Sequence, residues 1–225
     1  MNQIEKNTVK ADNQLKPNEF VSFEGEENKG VRILFLGNSI TLHGVKHDIG
    51  WHNRWGMAAS SKEKDYVHII EDEIKKLCPD AAFCICQGAK WECEYKNGSE
   101  LYHLYQPASD FGADIIVARL IENCPLENFD KDIFKKEYFG FIKYLSGENT
   151  KVILTTGFWK HTGDTVIEEM AKEENLPLVR LGDLGEDDSM KAIGLFEHSG
   201  VANHPGDKGM QAIADRIFTV LKELI

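Results

Sequence analysis

No apolar run in this chain approaches the length needed to span a bilayer, and the opening M-N-Q-I-E-K-N-T-V-K lacks the apolar centre of a signal peptide. A membrane protein is not expected; the chain reads as cytoplasmic, or as exported with a leader already removed. Basic charge is scarce too: 26 Lys and Arg stand against 37 Asp and Glu, a net charge of −11, with the basic residues interleaved among acids. That balance argues against a nucleic-acid partner, which needs a basic patch or stripe. Cysteines are few and odd in number, namely Cys78, Cys84, Cys86, Cys93 and Cys124. Three lie in or beside apolar runs, so buried thiols are expected in preference to disulfides or a zinc site. There is no G-x-G-x-x-G and no Walker pattern, hence no phosphate cradle for a nucleotide or flavin, and no cofactor is expected. Internal repeats and low-complexity tracts are absent as well.

What is present is enough for one substantial core: 225 residues, 42% of them apolar. The stretch V-R-I-L-F-L-G-N-S-I-T, 31 to 41, opens as a continuous apolar run, the pattern of a strand buried on both faces, and ends at Gly37 with Asn38 and Ser39 directly after it. Further short apolar strands are predicted at 81–86, 114–120, 151–156 and 178–181. Between them helices are expected from a capping box at Ser60 and Glu63 through Leu77, over 130–145, over 164–175, and from Pro205 to Leu224. The stretch 43–57 reads as a loop, and 89–110 as a long unstructured wall or lid. Strand and helix alternating five times predict an α/β fold: a three-layer, flavodoxin-like sandwich with a five-stranded parallel sheet, helices on both faces and strand order 2-1-3-4-5. Residues 1–29, polar apart from Phe20 to Phe23, are set aside as an N-terminal extension or arm, and 30–225 as the catalytic domain.

In a parallel sheet the residues following each strand collect along one edge. Here they are Asn38 and Ser39, Gly88, Asn123, then Phe158 and Trp159, with His204 able to reach the same edge from before the last helix. A hydroxyl, a backbone N–H, an amide and an imidazole are the parts for acyl transfer: nucleophile, oxyanion hole and general base.

The blocks G-N-S-I-T at 37–41, Gly88, E-N at 122–123 and N-H-P-G-D-K-G at 203–209 resemble, in order and over most of the chain beyond residue 30, the four blocks of the SGNH (GDSL-type) esterase family. The resemblance implies Ser39 as nucleophile, His204 as base, and the Ser39 N–H, the Gly88 N–H and the Asn123 side chain as oxyanion donors. The chain departs from the family at Asn38, where Asp is common, at Ile121, where Gly is usual, and at Val201, where an acid normally supports the histidine. Three arrangements stay open for that last position: a backbone carbonyl near Val201 orients the ring, Glu197 swings in as the acid, or the site is weak or dead.

His43, His47, His52 and Asp48 share one loop, but their spacing matches no zinc signature and no metal is expected. Trp51, Trp55, Trp91 and Trp159 follow strands, where ring faces suit sugars, and with Asn38 they are the candidate substrate contacts. The expected activity is hydrolysis of a small acyl ester, acetyl foremost, of a polar small-molecule or carbohydrate alcohol. The competing reading is a carbohydrate-binding protein on an inactive scaffold of the same kind. Nothing in the sequence bears on oligomeric state.

Overall fold

The computed structural model describes residues 10–25 and 30–225. The remainder of the 1–29 segment, 1–9 and 26–29, lies outside the described residues. Six strands, β1 (Val21–Glu24), β2 (Arg32–Gly37), β3 (Ala82–Gln87), β4 (Ile115–Ala118), β5 (Lys151–Thr155) and β6 (Leu178–Val179), form one sheet in the order β1-β3-β2-β4-β5-β6. The five expected parallel strands are present in the expected order. The correction is one of count: β1 adds a sixth strand, antiparallel to β3, with Val21 opposite Cys86 and Glu24 opposite Phe83. Leu15 and Phe20, just before it, are buried in the same core.

β2 lies between β3 and β4 and is buried from Ile33 onward. Its side chains alternate between two layers, as the strand period of two requires. Ile33 and Phe35 pack on one face with α1 (Tyr66–Leu77) and the last helix, α7 (Asp207–Leu221). Leu34 and Leu36 pack on the other with α4 (Lys131–Leu145) and α5 (Asp164–Glu173). The three-layer arrangement follows from that alternation.

The helix starts depart from expectation in instructive ways. α1 is capped by Asp65, whose carboxylate accepts from the His68 N–H, and not by a Ser60/Glu63 box. Ser60 instead donates from N and Oγ to Asp207 at the start of α7, tying the two helices of that layer. α7 begins after Gly206, so Pro205 stands just before the helix and not at its first position. The stretch 89–110, expected to be irregular, is helical in short pieces: α2 (Ala89–Cys93), a 3-10 run over Tyr95–Tyr105 and α3 (Gln106–Asp110). A non-helical Asn97 interrupts the run, so no single 3.6-residue period survives in the sequence. Among the described residues no helix is long and apolar enough to cross a membrane.

Candidate active site

At the end of β2 the chain turns at once. Thr41 N–H and Leu42 N–H both donate to the Asn38 carbonyl, at 2.9 and 3.0 Å, and a Cβ on Gly37 would run into the Thr41 side chain. Glycine is required there, and the turn lifts Ser39 to the rim of the sheet. The Ser39 carbonyl is held by the Met57 N–H at 2.8 Å, while no described residue accepts from the Ser39 N–H.

From the other end of the chain, the short helix α6 (Ser199–Ala202) places His204 against the serine. His204 Nε2 lies 2.8 Å from Ser39 Oγ, and His204 Nδ1 lies 2.7 Å from the Gly200 carbonyl. A carbonyl only accepts, so Nδ1 carries the proton and Nε2 of the neutral ring is left to accept from the serine hydroxyl. Burial pushes the His204 pKa down to about 4, against the opposing pull of the Gly200 hydrogen bond. The ring is therefore neutral, in the basic form, at pH 7. His198 Nδ1 accepts from the Gly200 and Val201 N–H groups at 3.1 and 3.3 Å, fixing the turn that presents the Gly200 carbonyl.

Behind the pair lies a buried ionic cluster. Glu92 of α2, fully buried, accepts from Asn38 Nδ2 at 3.1 Å, from the Ile121 N–H at 2.6 Å and from Asn123 Nδ2 at 2.5 Å. Glu122 accepts from Arg119, from Asn38 Nδ2 at 2.6 Å and from the Phe158 N–H at 2.9 Å. Desolvation, with the neighbouring Glu122 charge adding to it, raises the Glu92 pKa to about 7. One amide proton of Asn123 is thus held by Glu92 and the other is left to face the cleft that Asn123 lines. The cleft over Ser39 measures about 170 Å³, and Gln14, His43, Gln87 and Trp159 contribute to its walls.

No family model matches this chain, and no curated protein matches it. Solved structures do, along most of its length. A two-domain esterase active on acetylated mannans aligns over 86% of this chain and 49% of its own, at 20% identity and a TM-score of 0.56. The psychrotrophic esterase EstA from Pseudoalteromonas sp. aligns over 85% of this chain and 97% of its own, at 15% identity and a TM-score of 0.55. A lipolytic G-D-S-L family protein from Veillonella parvula aligns over 85% and 98%, at 17% identity and a TM-score of 0.53. The fold is that of the SGNH (GDSL) hydrolases. This chain spans about half the length of the two-domain mannan esterase.

On this SGNH fold the structure brings Ser39, His204, Asn123 and Trp159 to one cleft. Trp159 stands edge-on to the His204 ring at 5.1 Å. Other expectations are corrected. The Gly88 N–H donates to the Gly37 carbonyl at 2.5 Å, closing the sheet end, and is not directed at the cleft. The adjacent Ala89 N–H is turned to Gln87 Oε1 at 3.2 Å. Glu197 is exposed, and the Nδ1 it would have served is occupied by the Gly200 carbonyl. Asn38 is fully buried with its amide spent on Glu92, Glu122 and Arg119, so it braces the floor and does not meet substrate.

Three of the four tryptophans pack elsewhere. Trp51 is buried with its indole N–H on the His43 carbonyl, and Trp55 donates to the Ala59 carbonyl at 3.1 Å. Trp91 is stacked on Phe141 at 5.3 Å within the α4 layer. Sequence reasoning missed Glu92, His198 and Gln14, and weighed His43 only as a member of its histidine-rich loop. His43 is buried beside the cleft with Nδ1 on the Gly44 carbonyl at 2.7 Å and Nε2 facing the Gln14 amide at 3.1 Å. Burial lowers its pKa to about 4. Glu92 gave no signal of its own, since it sits among other charged residues, Lys90, Glu94 and Lys96.

Proposed function

We propose that the protein is a serine esterase that removes a small acyl group, acetyl foremost, from a polar alcohol such as a carbohydrate. The observation that supports this most is the relay Ser39 Oγ, His204 Nε2, His204 Nδ1, Gly200 carbonyl, with both contacts under 3 Å and a ring tautomer already suited to take the serine proton. In the first half-reaction Ser39 Oγ attacks the ester carbonyl carbon as its proton passes to Nε2. The oxyanion receives the Ser39 N–H and the free Asn123 amide proton. Collapse expels the alcohol, which leaves with the proton held on Nε2. A water then gives its proton to His204 Nε2 as it attacks the acyl-serine; collapse breaks the Ser39 Oγ–acyl bond, Nε2 returns the proton to Ser39 Oγ, and the carboxylic acid leaves.

The carbonyl of Gly200 orients the imidazole but brings no charge to offset the imidazolium that forms. This is a Ser-His dyad with a dipolar third member. The small cleft favours a short acyl group, since about 170 Å³ lies below the range of about 300–1,000 Å³ found for drug-sized ligands. For the alcohol, the reading leans on the Trp159 ring beside the cleft and on structural neighbours described as active on acetylated mannans and as a family two carbohydrate esterase from Cellvibrio japonicus. The test is hydrolysis of p-nitrophenyl acetate by the native protein and by Ser39→Ala. A large loss is expected; equal rates would remove Ser39 from the mechanism. A fluorophosphonate probe decides the binding-only alternative, which requires Ser39 to stay unlabelled while glycan binding is measurable.

A further inference from the structure

Outside the lining of the cleft, three side chains converge between the antiparallel edge strand and the first helix. They are Glu24 from β1 and His68 and Glu71 from α1, one ligand atom from each lying within 4.8 Å of the others. His68 Nε2 is already 3.1 Å from Glu24 Oε1. His68 Nδ1 is 2.8 Å from Asp65 Oδ1, which fixes the ring with its other nitrogen toward the cluster. Glu71, only 1% exposed, has Oε2 on Lys75 at 3.2 Å, while its Oε1 is buried with no hydrogen-bond partner among the described residues. An orphaned carboxylate oxygen in that setting is costly unless something supplies positive charge or a proton.

We propose that Glu24, His68 and Glu71 form a binding site for a divalent transition cation, zinc being the natural probe. One imidazole and two carboxylates make a three-ligand set open to water at the remaining position. Asp65 supplies the carboxylate that commonly orients a ligating imidazole from behind. Ligands about 2.0–2.2 Å from zinc sit about 3.3–3.5 Å apart in a tetrahedral site. The Glu24 and His68 pair, at 3.1 Å, must open by a few tenths of an ångström, and Glu71 must close by about 1.5 Å at most. Lys62, 2.5 Å from Glu24 and with a side chain 44% exposed, can withdraw into solvent as the cation enters, as can Lys75 at 39%. The ion would pin β1 to α1, and with it the segment whose Gln14 faces His43 at the cleft.

The experiment is calorimetric titration of chelator-treated full-length protein with zinc sulfate, alongside thermal melting. The second zinc-affine feature is the exposed pair His47 and His52, whose Nδ1 atoms lie 2.7 Å apart, so His52→Ala is run in parallel. Expected are one saturable site in the native protein and in His52→Ala, an affinity loss of tenfold or more in Glu71→Gln, and a melting point raised by roughly 5–11 °C at a hundredfold excess over Kd. Native protein without saturable binding, Glu71→Gln binding as tightly as native, or loss of binding in His52→Ala would each overturn the proposal. Should Glu71→Gln fail to fold, Glu24→Gln on the edge strand carries the same expectation. None of these readouts depends on esterase activity.

Discussion

His204 and His68 each give an Nδ1 proton to an oxygen a few residues earlier in the chain, the Gly200 carbonyl in one case and the Asp65 carboxylate in the other. Their Nε2 atoms face a hydroxyl and a carboxylate respectively. The consequences diverge. His204 has neutral partners, and burial takes its pKa down to about 4. His68 is also desolvated, but Asp65, Glu71 and Glu24 outweigh that cost and raise its pKa above the ordinary value. One imidazole is held as a base, while the other is biased toward its protonated form. What offsets the burial cost at His68 is the carboxylate charge around it, which His204 lacks.

The strongest way to break the contrast is to remove what His204 faces. Ser39→Ala should lower kcat/KM on p-nitrophenyl acetate by about 10⁴-fold or more while the melting point stays near native. Next in size is the oxyanion side: Asn123→Ala should cost about 10²–10³-fold in kcat with little change in KM. Glu92→Gln keeps the shape but sets an amide N–H against three donors, so a loss of about tenfold in kcat and a lowered melting point are expected. Native-like kcat in Glu92→Gln would mean that Asn123 is positioned without it.

A subtler change makes His204 resemble His68. Val201→Asp sets a carboxylate at the buried position where the SGNH resemblance calls for an acid. The acid limb of kcat/KM, expected near pH 4 in the native protein, should move up by about 1–3 pH units. The smallest effect is on stability. Unfolded histidine titrates near pH 6.5, so His204 and His43, lowered when folded, cost stability as pH falls from 6.5 toward 4. His68, raised when folded, contributes fully below 6.5 and loses that contribution as pH rises through its folded value. Denaturant midpoints of His68→Gln and native protein should therefore differ more at pH 6 than at pH 9.

The five parallel strands could be read from the sequence because each is a short apolar run buried on both faces, and such runs carry their own boundaries. β1 could not. Its V-S-F-E pattern is only four residues long, and its partner β3 lies some sixty positions away. Ser39 and His204 were legible because residues at strand ends share an edge whatever their side chains do. Gly88 was misjudged since the direction of one N–H depends on the local turn, here spent on Gly37. The tryptophans failed for a related reason: position after a strand does not say which layer a ring enters, and Trp91 enters the α4 layer. Glu24, His68 and Glu71 share no motif, and only the antiparallel pairing of β1 brings the first to the other two.

The acceptor that aims His204 is a main-chain atom, so an alanine scan has no substitution that deletes it. Exchange at position 200 would change the bend of the peptide before it changed the acceptor: a methyl on Gly200 would meet the His198 ring at 2.8 Å. Inheritance of this contact is therefore written in the conformation of a turn, and a lineage can keep it while the side chains around it drift, provided position 200 stays small.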